Sequence, residues 1–260
     1  MAGETKINPM HQFQIDGLGP SLDIHGYHIG FTNSALWMLI VFAALWLFML
    51  GGMKRQLVPG RWQVAVEGMT GFVESMATSS IGPEGRKFMP WVFTLFMYIL
   101  FANMMGMMPF GIVPGGQPFN VMSQFSITGV LAVTSFSIVL ITGFWRHGFH
   151  FFSLFVPKDT PFFLKLLIVP IEFVSFMVRP FSLGLRLFVA MIAGHILVEV
   201  FGSFIVQNLS AGGAGGYAIS LLCFVFIICV LAVEVLVCAI QAYVFALLTS
   251  LYINDAVNLH

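Results

Sequence analysis

The chain alternates long apolar blocks with short polar ones. Residues 34–53, "SALWMLIVFAALWLFMLGGM", carry no charge until Lys54 and Arg55. At 1.5 Å per residue that block is long enough to cross a hydrocarbon core of about 30 Å. Further spans are predicted over 88–108 and 126–145, followed by two longer apolar blocks at 162–209 and 218–253. Runs of this length exclude a membrane barrel, whose strands are alternating segments of ~10 residues. Residues 61–82, "RWQVAVEGMTGFVESMATSSIG", follow another rule. Trp62, Val66, Met69 and Val73 recur at helical spacing while Glu67 and Glu74 share a second face, which reads as an amphipathic helix at the membrane surface. The fold class expected is an all-α polytopic membrane protein: one membrane domain of about five inserted segments plus that interfacial helix.

The last two blocks are longer than a span requires. Residues 218–253 contain neither Gly nor Pro, and as a helix they would extend roughly 54 Å. Such a helix must cross the bilayer steeply tilted or protrude past it. The preceding block is interrupted by Pro170 and Pro180, and "SAGGAGG" at 210–216 reads as the turn. The pair is therefore expected to form a long, tilted hairpin, 170–209 against 218–253. No internal repeat or paired discontinuous helix of the secondary-transporter kind is visible.

Composition agrees: 58% of residues are hydrophobic and 8% charged, against about 25% charged in soluble domains. The mean hydropathy is +0.94. Zero net charge gives no reason to expect a nucleic-acid partner. Residues 1–33 form a polar arm without a basic n-region or an apolar h-region, so no cleavable signal is expected. Lys54, Arg55, Arg61, Arg86, Lys87, Arg146, Lys158 and Lys165 all fall between spans on one side, whereas the other side has Lys6. The positive-inside rule places the N-terminus outside and the C-terminus in the cytoplasm. Cys223, Cys229 and Cys238 lie in one apolar block and read as packing residues, with no CxxC pair to suggest a metal.

Polar groups inside the last two blocks carry the candidate chemistry. Glu172, Arg179 and Arg186 are spaced by seven, along one helical face, with Ser175 close to the stripe. Arg179 has two open readings, an ion pair with Glu172 or a cation lining a path. Arg186 is different, because no acid lies one turn away at 182, 183, 189 or 190. An arginine at the centre of a span costs about 2.5–3.5 kcal/mol even on insertion scales, so a lone one marks a functional site. His195 lies half a circumference from Arg186, with Glu199 one turn further on its own face. On the last block Glu234 and Gln241 share a face. His195 and Glu234 stand 15 residues before and 18 after the 210–216 turn, at similar depth, where an imidazole and a carboxylate could meet as a proton relay. These groups do not line one face from side to side, so two offset half-paths with Arg186 between them fit better than a continuous pore.

"RPFSLGLRLFVAMIAGH", "AIQAYVFALLTSLYIND" and, more weakly, "FANMMGMMP" at 101–109 resemble subunit a of the F-type ATP synthases, in its alphaproteobacterial and mitochondrial form. The resemblance covers most of the chain and is strongest over 167–255. It implies a stator subunit with two tilted helices against a rotating c-subunit ring, two half-channels, b-type peripheral-stalk subunits and the rest of the F1Fo complex as partners, and no cofactor. Arg186 matches the family's essential arginine, Gln241 the glutamine facing it, and Glu172 an acid of the cytoplasmic half-channel. Asn103 matches a polar group near the outer one. His195 and Glu234 occupy positions that some relatives fill in the reverse order. The family's asparagine four residues beyond the arginine is Ala190 here. The resemblance implies a non-catalytic proton-conducting subunit in the bacterial inner membrane, with the mitochondrial inner membrane as alternative. A self-contained channel or secondary transporter is the rival reading. An embedded enzyme lacks support, since no HExxH, nucleophile–base pair or Asp-rich motif is present.

Overall fold

The computed structural model describes residues 17, 22–24, 27–53, 60–108, 119–148, 151 and 162–258. A short antiparallel hairpin comes first, β1 (Leu22–Ile24) and β2 (Tyr27–Ile29), with Leu22 opposite Ile29. Among the described residues six α-helices follow: α1 (Asn33–Gly52), α2 (Arg61–Ile81), α3 (Gly85–Gly106), α4 (Phe125–His147), α5 (Phe162–Ala211) and α6 (Gly213–Val257). Five of these, all but α2, are long and apolar enough to cross a membrane. The protein is an all-α polytopic membrane protein. Sequence reasoning expected a polar arm over 1–33 and did not foresee the hairpin within it. Most of that arm, and the Pro/Gly-rich stretch 109–118, lie outside the described residues.

Local side-chain hydrogen bonds support several of the helices. Thr32 caps α1, its Oγ1 accepting from the Ala35 N–H. Hydroxyls within the spans donate back to carbonyls one turn earlier, as Ser135 does to Leu131 on α4 and Ser250 to Ala246 on α6. The core gathers around α3, where Val92, Leu95, Met97 and Ile99 are buried together with Val73 of α2, Val139 of α4, Leu187 of α5 and Phe245 of α6.

Helix α2 is amphipathic, and its buried face is the expected one except at Trp62, with Met69 partly buried against the core. Val66, Val73, Met76, Ala77 and Ile81 are buried, while Trp62 is 62% exposed and touches Phe48 of α1 edge-on. The inward stripe turns away from Trp62 because α2 packs against α3 and α6 as well as α1.

The terminal hairpin is longer than expected and its turn much shorter. Helix α5 runs 50 residues and α6 runs 45, about 75 and 68 Å at the helical rise. Pro170 and Pro180 do not interrupt α5. A proline removes one donor, which a helix among other helices tolerates. The expected turn at 210–216 contracts to Gly212, with φ of 68°, a left-handed conformation that glycine adopts without strain. Gly216 serves close approach: a Cβ there would lie 2.5 Å from the Asn208 carbonyl oxygen. Lys165, expected in a connector, lies in the first turns of α5. The outward faces of α5 and α6 expose large apolar side chains, among them Leu166, Val206, Leu221 and Leu236, as lipid or a protein partner would require.

Candidate functional site

Helices α5 and α6 bring His195 and Glu234 together. His195 Nε2 stands 3.6 Å from Glu234 Oε1, too long for a hydrogen bond and close enough for an ion pair when both are charged. Glu234 is 5% exposed, and its Oε1 has no hydrogen-bond donor among the described residues. Gly194 makes this approach possible. A Cβ there would sit 2.8 Å from Oε1.

The third member of the cluster was not foreseen. Asn120 precedes a 3-10 turn, Val121–Ser123, and its Nδ2 lies 2.8 Å from His195 Nε2. Its Oδ1 accepts the Met122 N–H at 2.9 Å. Gly106 of α3 admits it, since a Cβ on Gly106 would come within 2.5 Å of Asn120 Cγ. The sequence signal was an asparagine at the edge of a Pro/Gly-rich stretch, which reads as a turn residue rather than as part of a membrane site.

Asn103 of α3 is fully buried, and neither amide atom has a partner among the described residues. It lies one turn before Met107, whose Sδ is 3.4 Å from Cys238 Sγ on α6. Cys238 in turn follows Glu234 by one turn, so Asn103 stands near the cluster without joining it. Cys238 and Cys223 are buried free thiols, whereas Cys229 is exposed. Glu199 is half-buried one turn beyond His195.

Arg186 faces outward. It is exposed on α5 between the buried Leu183 and Leu187, and no ion pair or hydrogen bond reaches it from the described residues. One turn further along α5 begins an open apolar groove of about 350 Å³ between α5 and α6, lined by Ala190, Ala193, Gly194, Val233 and Val237, with Glu234 in its wall. Gln241, half-buried, follows Val237 by one turn. Because the two helices run antiparallel, Arg186 and Gln241 flank the same end of that groove.

Arg179 is occupied. Its Nη1 donates to Asp255 Oδ2 at 3.0 Å and its Nη2 lies 3.8 Å from Glu172 Oε1. The guanidinium also rests over Phe176 and Tyr252, 5.4 and 5.1 Å from the ring centroids. The sequence offered Glu172 as the partner, but the nearer one is Asp255, 76 positions away on the other helix. Spacing within one helix cannot reveal a partner of that kind. Ser175 is exposed on the same end of α5.

The structure thus defines a helical membrane protein whose polar chemistry centres on its last two helices: a buried imidazole–carboxylate pair joined by the Asn120 amide from the 3-10 turn before α4, and an exposed cation on the outer flank. Residues 34–254 match the ATP synthase A chain family. The chain is 61% identical, over the whole of both chains, to ATP synthase subunit a of Rhizorhabdus wittichii, and equally to that of Sphingopyxis alaskensis. It is 55% identical, again over the whole of both, to ATP synthase subunit a of Zymomonas mobilis. The chain belongs to this family of non-catalytic membrane subunits.

Proposed function

We propose that the chain conducts protons between two offset half-channels and that Arg186 separates them, facing a ring of c subunits that carries the protons from one to the other. The observation that carries this reading is Arg186 itself: a guanidinium exposed on an apolar helix flank with its own chain offering no counter-charge among the described residues. The partner must come from outside, and a carboxylate passing on a rotating ring is such a partner.

The outer half-channel runs past Asn103, His195 and Glu234, and the inner one past Glu172 and Ser175. A proton taken up at His195 and Glu234 neutralises a ring carboxylate, which can then turn through lipid. On returning to Arg186 that carboxylate is held in its ionised form by the cation, and its proton leaves on the cytoplasmic side. Arg186 also repels a hopping proton and so prevents a direct leak. Each charge gains about 2.3 kcal/mol per 100 mV of membrane potential, which drives rotation and ATP synthesis. Gln241 flanks the same end of the groove and orients the ring-facing guanidinium. Glu199 extends the relay outward, and Arg179, held by Asp255, stabilises the cytoplasmic end. The protein sits in a bacterial inner membrane with its N-terminus outside and its C-terminus in the cytoplasm, and b-type stalk subunits hold it against the ring's torque.

The test is ATP-driven pumping by inverted vesicles. Arg186→Ala abolishes pumping while the complex still assembles; normal formation of a pH gradient by this variant rejects the proposal.

A further inference from the structure

We infer that Asn120 acts as a positioning residue that fixes which nitrogen of His195 carries the proton, and so makes the imidazole a two-position switch between Asn120 and Glu234. This rests on the reading of His195 and Glu234 as a proton relay.

The argument starts from the amide. Asn120 Oδ1 accepts from the Met122 backbone N–H, which can only donate. The amide is therefore oriented, and the group it presents to the imidazole is its Nδ2, a donor, 2.8 Å from His195 Nε2. A donor can be met only by a lone pair, so neutral His195 carries its hydrogen on Nδ1 and leaves Nε2 bare. Asn120 cannot readily turn over. It is 4% exposed, is pressed against Gly106, and would exchange its Met122 bond for a clash of two donors.

Protonation of Nε2 reverses the contact. The new N–H faces the Asn120 amide hydrogens, two donors with no acceptor between them. Near the same nitrogen, at 3.6 Å, waits Glu234 Oε1, an acceptor without a donor among the described residues. The charged imidazole thus loses a partner at 2.8 Å and must swing toward the other, 3.6 Å away, to gain it. From there the Nε2–H bond can break, its electron pair remaining on the ring while Oε1 takes the proton. Neutral again, the imidazole returns to Asn120. Among the described residues the charged groups nearest it are Glu234 from α6 and, one turn along its own helix, Glu199. The basic residues of α3, Arg86 and Lys87, lie at the far end of that helix. Repulsion by Asn120 thereby lowers the proton affinity of Nε2 and biases the shared proton toward Glu234, while the membrane gradient sets the direction of net flow.

Solid-state ¹⁵N NMR on the reconstituted complex, with labelled histidine, tests this directly. The His195 signal is identified by its absence in His195→Ala. In the wild type at alkaline pH, where the ring is neutral, Nε2 is expected bare and Nδ1 protonated. In Asn120→Leu, which lacks the donor, the Nε2–H tautomer is expected alongside it. A wild-type Nε2–H tautomer, or an unchanged spectrum in Asn120→Leu, overturns the inference. Passive proton conduction gives a second measure. Asn120→Asp keeps the acceptor for Met122 but offers an acceptor to His195, so its pH profile is expected to move upward by about one unit, a tenfold change. A profile that superimposes on the wild type also overturns it. If instead His195→Ala conducts normally, the relay reading fails, whatever tautomer the spectra show.

Discussion

Glu234 of α6 lies against Gly194 of α5 so closely that a single methyl group at position 194 would come within 2.8 Å of its Oε1. The carboxylate owes its place beside His195 to a missing side chain. Gly194→Ala is therefore expected to push Glu234 from the imidazole. Overpacking of this kind costs about 1–3 kcal/mol, but helix propensity favours Ala by roughly 1 kcal/mol. Assembly should survive while ATP-driven pumping falls severalfold. A variant pumping at the wild-type rate would show that the close approach is dispensable.

Much of this was legible in the sequence, for definite reasons. Apolar runs report spans because lipid forces every backbone group into a helix. A separation of nine residues on a single long helix set Arg186 and His195 on different sides of α5, and counting from a turn set His195 level with Glu234. What stayed hidden depends on neighbours distant in the chain. Asp255 reaches Arg179 across the hairpin, and Asn120 reaches His195 from a stretch that looked like loop. The contraction of "SAGGAGG" to one turn residue was hidden for another reason: glycine marks a turn and a close helix crossing alike.

At the opposite end of the bundle, Glu84 before α3 forms a paired contact with Arg146 of α4, Nη2 to Oε1 at 2.9 Å and Nη1 to Oε2. The Arg146 hydrogen bonds hold the Glu84 carboxyl below the usual carboxylate range. A depressed folded-state value stabilises the fold above the unfolded value, about pH 4.3, and that contribution is lost as pH falls through the folded one. Arg146→Ala should therefore lower the thermal stability of the purified complex slightly at neutral pH, with the difference from wild type shrinking in acid. The pair is exposed, so high salt should shrink it too. A difference that grows on acidification would contradict this account.

The two half-channels predict two zones of water access. Cysteines placed near His195 and Glu234 should react with a membrane-impermeant thiol reagent added outside, and those near Glu172 and Ser175 with reagent from the cytoplasm. The native Cys229 is exposed on the groove-lining face of α6 and must first be replaced. Labelling of both sets from one side would point to a continuous pore.

The relay itself can be tested by exchange. Nε2 and Oε1 stand 3.6 Å apart, and each group stabilises the charged form of the other, so the two titrate as a pair rather than singly. Loss of Glu234 to an apolar residue leaves the charged imidazole without its acceptor. Loss of His195 leaves Glu234 without the nearest donor and Asn120 without its partner. Each single replacement should cut proton flux by an order of magnitude or more, about what removal of one acid–base group does elsewhere. The exchange His195→Glu with Glu234→His keeps an imidazole and a carboxylate facing each other across the hairpin and should restore part of the flux. The restoration should be incomplete, because Asn120 would then present its amide to a carboxylate, which accepts from it, and the repulsion on protonation would be gone. Proton pumping by reconstituted complexes, wild type against both single variants and the exchange, measures all of this. An exchange no better than the weaker single variant would mean that the two side chains, though adjacent, do not pass the proton between them.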